Sequence, residues 1–549
     1  MHRTLGALAA SVALWLAASL LVAGSSDPAA STTALALAGL APTADQRAAG
    51  PPSRPGPPTE AAPLFLPLQV DAALEAIGAD RWQAAGFTGF RQKVAVIDAG
   101  FSGYQAELGV GLPASVTARS FRSDRSISAG TSHGRLAAEV VHAVAPSAQL
   151  YLVNFGTAAE LSAAVDYLIA EQVDVISFSL GFIHSGPGDG TGPINDIVQR
   201  AADAGIAWAV ASGNWALQHW GGAFTDTDGD SIHEFAANEQ LNGRMFLAGD
   251  LIVASLRWVD EWGAACNDYD LELFGPDGSL VAASRRIQEC TGDPVESLQL
   301  LATTSGRYSV RVVEAEASAP ASLSVLLLGT PDRGDSIQFP IGSGSLAQPA
   351  DNPAVLTVGA LSSGGLAVAP YSSRGPTTDG RLKPDLVSRT GLSNGVGQPF
   401  AGTSAAAPHV AGMLALVGEA FPEMTGPQRL AELRARAEPF TGSTTVRAAT
   451  LGTLVGLGAL LPVGGEEASL VGEIPSGGGI AAMQYHGPDG YPLRFAHLLT
   501  GGIEPRAIFR LDAESQLWSA YVPGAPDFVQ GFTRLNDDDL MIATFPPAN

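Results

Sequence analysis

Four short segments of this chain contain side chains that could together perform nucleophilic catalysis. In chain order they contribute Asp98, His133, Asn214 and Ser404. A serine hydroxyl is a poor nucleophile until a base takes its proton, and a histidine can do so near neutral pH. A buried carboxylate can hold the imidazole in the right tautomer, and an amide N–H can stabilise a developing oxyanion. These residue types predict acyl transfer through Ser404, with His133 as general base, Asp98 orienting it and Asn214 in the oxyanion hole.

Each of these residues also has an ordinary structural role open to it. Ser404 could be a helix N-cap, Asp98 a cap at the end of a strand, and Asn214 a left-handed turn residue. The chain has nine histidines, so the choice of base needs an argument. His409 follows Ser404 by five residues on the same predicted helix, which turns it about 140° away from the serine. His142 falls late in the predicted helix that His133 begins, and we expect it to be a packed or surface residue. His133 is the best candidate for the base.

The elements that must position these side chains follow an α/β pattern. Short apolar runs predict buried parallel strands, and helical patterns lie between them. This alternation predicts a parallel sheet with helices on both faces. Open sheets of this kind place their sites at the carboxyl ends of strands, where Asp98 falls, and Ser404 lies at the start of a helix, where the dipole favours negative charge. The predicted strands are 93–97, 150–153, 173–177, 206–211 and 355–359.

The order of the four segments resembles the subtilases, the subtilisin-like serine peptidases. The resemblance covers about residues 75–217 and 346–460, and the serine segment is its most specific part. The segments are Val96-Ile97-Asp98-Ala99-Gly100, Ser132-His133-Gly134, Ala211-Ser212-Gly213-Asn214 and Gly402-Thr403-Ser404-Ala405-Ala406-Ala407-Pro408-His409.

The resemblance implies a serine endopeptidase that hydrolyses peptide bonds through an acyl-enzyme on Ser404. It also implies a substrate channel, to which an extended peptide would add as a strand. The channel residues that it implies are Ser179, Leu180, Gly181, Ser212 and Gly213. A catalytically inactive scaffold that binds or adheres through its β domains is the alternative function.

Two residues depart from the usual pattern of this family. Arg135 follows the His-Gly pair, where threonine is usual, and Ala99 follows Asp98, where serine or threonine is usual. Neither change removes a catalytic atom. Arg135 could narrow the cleft or favour acidic substrates, so the departures concern substrate preference.

The pattern changes from α/β to β at about residue 218 and returns at about residue 346. Alternating runs such as Asp270–Leu273 and Tyr308–Val312, separated by turn residues, predict an inserted antiparallel β-sandwich over 218–345. The peptidase domain would thus comprise 70–217 and 346–463, and a small C-terminal β domain would comprise 464–549. Aromatic residues of the insert, Trp258, Trp262 and Tyr269, could bind substrate or pack the sandwich.

The N-terminus predicts export. A basic start at Met1-His2-Arg3 precedes an apolar run from Leu5 to Ala23, which predicts a signal peptide over 1–24; a membrane anchor is the alternative. Residues 25–69 are rich in small residues and proline and predict a flexible leader or propeptide. A secreted location, extracellular or in the cell envelope, favours a disulfide between Cys266 and Cys290 over two free thiols.

Charge restricts the partners. Asp and Glu number 54 against 30 Lys and Arg, a formal net charge of -24. Such a chain should not bind nucleic acid or, after signal cleavage, anionic membrane, so protein or peptide substrates are the expected partners. No cofactor is required by this chemistry. The carboxylates of Asp226, Asp228 and Asp230 suggest a structural calcium site, for which a solvated acidic turn is the alternative.

Overall fold

The structure is a computed structural model that describes residues 71–317, 319–330, 332–362, 367–390, 392, 400–437, strand residues 36–38 and short strands between 453 and 545. The predicted signal peptide and most of the predicted leader lie outside the described residues. Among the residues described, no helix combines the length and the hydropathy needed to cross a bilayer. The described helices are α1 (Asp71–Ile77), α2 (Ala79–Ala84), α3 (Tyr104–Glu107), α4 (His133–Val144), α5 (Ala158–Ala170), α6 (Pro193–Asp203), α7 (Thr403–Ala420) and α8 (Gly426–Arg436).

An eight-stranded sheet organises the larger compact unit, which comprises residues 1–73 and 89–455. All of its strand pairs are parallel, as the α/β pattern predicts. In spatial order its strands are β18 (Thr453–Leu454), β17 (Leu386–Ser388), β16 (Leu356–Ala360), β7 (Ala207–Ala211), β5 (Val175–Phe178), β2 (Lys93–Asp98), β4 (Gln149–Asn154) and β3 (Thr117–Ser120).

The strands of this sheet are apolar on both faces because helices cover both. Alternate strand residues, such as Ile97 and Ile176, share one hydrophobic cluster with Leu161 of α5 and Val198 of α6. Helices α4 and α7 pack against each other and against strands of the same sheet. The strand residues that alternate with this cluster, such as Val96, are also buried. This two-sided burial explains why the strands read as continuous apolar runs in the sequence.

Residues 219–330 contribute no strand to the eight-stranded sheet in the described part of the chain. They form two four-stranded antiparallel sheets instead. The first contains, in spatial order, β13 (Val295–Leu301), β10 (Leu251–Trp258), β15 (Ser322–Thr330) and β8 (His219–Ala223). The second contains β12 (Leu280–Ser284), β11 (Asp268–Phe274), β14 (Gly306–Glu316) and β9 (Asn242–Phe246). We call residues 219–330 the β module.

One hydrophobic cluster takes side chains from both sheets of the β module, so their inner faces pack together. Two of the three aromatic residues that could have bound substrate are in this core: Trp258 and Tyr269 are almost fully buried, whereas Trp262 is half-buried. The predicted disulfide is confirmed, because the Sγ atoms of Cys266 and Cys290 lie 2.08 Å apart.

A second compact unit comprises residues 74–88 and 456–549. It contains the seven strands described between residues 469 and 545, in the segment for which the sequence predicts a C-terminal β domain. Five form an antiparallel sheet and two pair separately. The strands are β19 (Ser469–Val471), β20 (Gly479–His486), β21 (Tyr491–Pro492), β22 (Ala507–Leu511), β23 (Trp518–Tyr521), β24 (Arg534–Leu535) and β25 (Leu540–Phe545).

Candidate active site

Asp98 and His133 meet at the carboxyl edge of the parallel sheet. Asp98 is the last residue of β2, and His133 is the first residue of α4. Its Nδ1 lies 2.7 Å from Oδ2 of Asp98, and both side chains are buried. Gly134 makes this approach possible, because a Cβ atom at that position would lie 2.6 Å from the Cβ of Asp98. The carboxylate therefore orients the imidazole and fixes its Nδ1 as the protonated nitrogen.

The second nitrogen of His133 is left for other chemistry. Nε2 is buried, and no described residue makes a hydrogen bond to it. The ring of Phe400 packs edge-on against the imidazole at 5.5 Å between centroids, and this contact limits the space around the histidine. A neutral imidazole held in this way can accept a proton at Nε2.

Ser404 is the second residue of α7 and is almost fully buried. Its hydroxyl donates to the main-chain oxygen of Ser179 at 3.2 Å, and the Ser179 hydroxyl donates to the main-chain oxygen of Ser404 at 3.0 Å. These two bonds join the start of α7 to the segment between β5 and β6 (Leu180–Phe182). They place a nucleophile-type side chain beside the segment predicted to bind substrate.

Asn214 is tied to the same helix start. Its Oδ1 accepts hydrogen bonds from the backbone N–H of Thr403 at 2.9 Å and from the Thr403 hydroxyl at 3.0 Å. Two donors on this oxygen identify the opposite end of the side chain as the NH2 group. That group lies against Gly402, where an added Cβ would be 2.8 Å from Nδ2. The amide donor is thus held at the positive end of α7, next to Ser404.

The substrate edge predicted at residues 179–181 is a strand edge in the structure. Ser179, Leu180 and Gly181 line a small cavity beside Ser404 together with Gly213. An extended segment already pairs with this edge, because β1 (Ala36–Ala38) runs antiparallel to β6 with Leu37 opposite Gly181. The edge can therefore take an added strand, in the manner of a bound peptide.

Ser212 lies deeper in the protein than the other residues predicted to line the substrate channel. It is fully buried, its N–H donates to Val358 O of the parallel sheet, and its carbonyl oxygen accepts from Ala347 N. It is not among the residues that line the cavity. Ser212 supports the channel from the sheet, and Gly213, its neighbour, reaches the channel.

Arg135 does not face the cleft. It is 3% exposed and forms ion pairs with Glu139 and, at 3.6 Å, with Glu107. The idea that it selects acidic substrates therefore has no support in the structure, because its charge is already paired below the surface. Glu139 stands four residues after Arg135 on α4, a spacing that could have signalled this pair.

His409 has the structural role that its helix position predicted. It is fully buried, and its Nδ1–H donates to Ala405 O at 2.8 Å. Burial lowers the pKa of this histidine to about 4, although the bond to Ala405 opposes this shift. Desolvation penalises the charged form of the ring. A histidine that stays neutral and bonds within its own helix is a packing residue.

The acidic turn that suggested calcium is exposed in two of its three carboxylates. Oxygen atoms of Asp226, Asp228 and Asp230 lie within 4.8 Å of one another. Asp226 accepts hydrogen bonds from the N–H groups of Gly229 and Ser231, which lower the pKa of its carboxyl. These contacts also close the turn, so they fit a solvated acidic turn as well as a cation site.

Two residues of the cavity lining escape the sequence argument. Trp215 and Ala347 both line the space beside Ser404. Trp215 directly follows Asn214, so its position next to a catalytic candidate was a usable signal. Ala347 lies in the segment between the β module and β16, and no local pattern marks it.

Comparison with known proteins finds a family whose sequence profile matches the part of the chain that contains this site. The profile of the subtilase family matches residues 91–238 and 339–458, and so omits most of the β module. Subtilisin E of Bacillus subtilis is 31% identical over 160 residues, which cover 26% of this chain and 40% of that protein. Subtilisin DY of Bacillus licheniformis is 30% identical over 154 residues, which cover 25% of this chain and 53% of that protein. Each match therefore spans only about half or less of the relative's length.

Two further similarities concern more distant proteins. The minor extracellular protease Epr of Bacillus subtilis is 29% identical over 157 residues, which cover 26% of this chain and 23% of that protein. The structure of the Clostridium perfringens CspB protease superposes with a TM-score of 0.50 and 16% identity, and it covers 71% of this chain and 98% of that chain. At this identity the likeness concerns the fold alone.

Proposed function

Because the chain belongs to the subtilase family over residues 91–238 and 339–458, we propose that it is a serine endopeptidase that acts through an acyl-enzyme on Ser404. The observation that carries the proposal is the buried contact of 2.7 Å between His133 Nδ1 and Asp98, with Ser404 and Asn214 at one helix start. The substrates are proteins or peptides that lie as a strand on β6, where they take the place of β1.

The first half of the reaction forms the acyl-enzyme. The Ser404 hydroxyl turns from Ser179 O towards His133 and gives its proton to Nε2 as Oγ attacks the carbonyl carbon of the substrate. Asp98 stabilises the imidazolium that results. The carbonyl oxygen becomes an oxyanion, to which Asn214 Nδ2 and the backbone N–H groups at the start of α7 donate. The C–N bond then breaks, and the imidazolium gives its proton to the leaving amine.

The second half releases the acid product. A water molecule gives one proton to His133 Nε2 and attacks the acyl carbon. The same donors stabilise the second oxyanion, and the proton returns to Ser404 Oγ as the ester bond breaks. No other co-reactant is needed, so the reaction consumes one water for each peptide bond.

Secretion is part of this proposal. It is supported by the basic start and apolar run at the N-terminus, by the confirmed disulfide and by a relative whose name describes an extracellular protease. Export of a fusion of residues 1–69 to a reporter protein would test it. A reporter that stays inside the cell would contradict it.

Covalent labelling tests the enzymatic proposal directly. A fluorophosphonate probe should modify the full-length protein at one residue, and peptide mapping should identify that residue as Ser404. Ser404→Ala should lose both the label and the hydrolysis of an unfolded protein, while its circular dichroism stays unchanged. Absence of label and of hydrolysis in the folded wild type would support the binding scaffold instead.

A further inference from the structure

The cavity beside Ser404 is very small. It measures about 10 Å³, which is about the space that one water molecule needs. Ser404 and Asn214 contribute to its lining, so it opens next to the atoms that would attack a peptide carbonyl and stabilise its oxyanion. A substrate on the edge of β6 would point the side chain that precedes the scissile bond into this space.

The methyl group of Ala347 lies between two glycines, Gly181 and Gly213, that form opposite walls of the cavity. One wall is Gly181, where an added Cβ would be 2.5 Å from the Cβ of Ala347. The other is Gly213, which has a φ of +105°, and where an added Cβ would be 3.0 Å from the same atom. Ala347 is 1% exposed. Its methyl group therefore occupies the depth that two opposed glycines would otherwise leave open.

The indole of Trp215 closes the cavity further. Its Cη2 atom lies 3.4 Å from the position that a Cβ on Gly181 would take, and the residue is 5% exposed. The backbone N–H of Trp215 donates to Ser373 Oγ at 3.0 Å. The main chain of Trp215 is thus anchored where its ring reaches the Gly181 wall.

The β module holds both residues in place. Trp215 and Ala347 form one hydrophobic cluster with Val253 of β10 and with Leu326 and Leu328 of β15. These strand residues alternate with those of the module core, so they lie on its outer face. The outer face of the β module therefore packs against the rear of the cavity. Movement of the indole or the methyl group would leave a void in this cluster, which is costly.

Polar contacts fix the same face of the module next to the substrate edge. His184, two residues beyond β6, makes hydrogen bonds through Nδ1 to Ser255 Oγ at 2.8 Å and through Nε2 to Ser324 Oγ at 3.0 Å. Arg257 donates to Gly186 O at 3.1 Å. The module is therefore held to the chain that follows the substrate edge as well as to the cavity wall.

We propose that the cavity admits only glycine or alanine as the residue that precedes the scissile bond, and that the β module enforces this selection by holding Trp215 and Ala347. This inference rests on the proposed peptidase function. A longer side chain would have to displace residues that are packed on both sides. An excess methylene in a tight apolar pocket changes kcat/KM by about 10–200-fold.

The test is a series of fluorogenic peptides that differ only in that residue, which is Gly, Ala, Val, Leu or Phe. For the full-length wild type, kcat/KM for the alanine peptide should exceed that for the leucine and phenylalanine peptides by about 10-fold or more. Ratios between peptides on one enzyme sample cancel differences in the amount of active protein. Cleavage sites in an unfolded protein, read by mass spectrometry, should likewise follow Gly or Ala.

Substitutions of Ala347 and Trp215 test whether these two residues cause the selection for small side chains. Ala347→Gly and Trp215→Ala should each raise kcat/KM for the leucine or phenylalanine peptide relative to the alanine peptide by about 10-fold. Trp262→Ala is the matched control, because Trp262 belongs to the β module but does not line the cavity. It should leave the ratios unchanged. If a variant does not fold, the peptide series and the cleavage map of the wild type still test whether only Gly or Ala precedes the scissile bond.

The outcomes separate this inference from the proposed function. Fluorophosphonate labelling at Ser404 together with a preference for Leu or Phe would overturn the inference and leave the peptidase function standing. Absence of both labelling and hydrolysis would overturn the two together. Labelling with an alanine preference that Ala347→Gly and Trp215→Ala do not change would overturn the assignment to these residues.

Discussion

Ser179 and Ser404 exchange hydrogen bonds: each hydroxyl donates to the main-chain oxygen of the other residue, at 3.0 and 3.2 Å. The pair joins α7, which provides the proposed nucleophile, to the strand edge proposed to bind the substrate. A nucleophile must lie about 3–3.5 Å from the carbonyl carbon, and a misplacement of about 1 Å can cost about 10²-fold in rate. This reciprocal contact sets the distance between the two parts of the site without any residue that titrates.

Ser179→Ala should separate the contribution of this pair to stability from its contribution to catalysis. It removes the hydroxyl that donates to Ser404 O but keeps the carbonyl that accepts from Ser404. We expect a loss of about 0.5–1.5 kcal/mol in the free energy of unfolding, the usual net value of one hydrogen bond. Because the catalytic atoms remain, kcat should fall by less than about 10-fold. Urea unfolding and initial rates on one peptide measure the two effects, and a complete loss of hydrolysis would contradict this role.

Asp98→Asn should leave Ser404 in place but lose most turnover. An asparagine would no longer stabilise imidazolium, and its NH2 group could face Nδ1, which would leave Nε2 protonated and unable to accept the serine proton. For the corresponding change in another serine protease the loss is about 10⁴-fold in kcat. Steady-state rates should show a loss of that order with KM nearly unchanged. Near-normal kcat in a folded variant would show that the contact with His133 is only structural.

Asn214→Ala should weaken the transition state more than the bound substrate. The reference loss for one oxyanion donor, about 10²–10³-fold in kcat, comes from a subtilisin and is carried over from a relative. In this chain Asn214 also accepts two hydrogen bonds from Thr403. Thr403→Val is therefore the informative companion, because it keeps the N–H donor of residue 403 and removes the hydroxyl, which donates to Asn214 and accepts from Gly213 N–H at 3.2 Å. We expect it to cost less than Asn214→Ala, and equal losses would mean that the asparagine acts by holding Thr403.

The sequence could predict the parts of this site that depend on local pattern. Asp98 ends an apolar run, and His133 and Ser404 begin helices, so their elements followed from periodicity and their order from family resemblance. The size of the cavity could not be predicted in this way. Its lining residue Trp215 packs against Val253, Leu326 and Leu328, which are about 40–110 residues away in the chain and meet it only through packing. Arg135 shows the same limit, because Glu107, with which it forms an ion pair, lies on another helix.

Buried histidines should make this protein sensitive to acid. Burial lowers the pKa of His219, His233 and His409 to about 4, whereas a histidine in an unfolded chain titrates at about 6.5. Between these values the unfolded chain binds more protons than the folded one, so the free energy of unfolding falls as the pH falls. Above about pH 6.5 these groups are neutral in both states and contribute no slope. Below about pH 4 these histidines are protonated in both states, and the loss of stability that they cause has reached its full size.

The size of this effect can be tested on one residue. At pH 5 a histidine with these two pKa values costs about 2 kcal/mol, because each pKa unit is worth about 1.4 kcal/mol. His409→Leu removes one such group. Among the described residues its Nε2 has no hydrogen-bond partner, and the bond from Nδ1 to Ala405 O is lost at both pH values and cancels in the comparison. Urea unfolding at pH 7.5 and pH 5.0 should show a smaller loss of stability in this variant than in the wild type, by about 2 kcal/mol. The carboxylates that also titrate in acid are common to both proteins and cancel in the comparison. Equal losses in the two proteins would mean that His409 is protonated in the folded state, and its burial would then need another explanation.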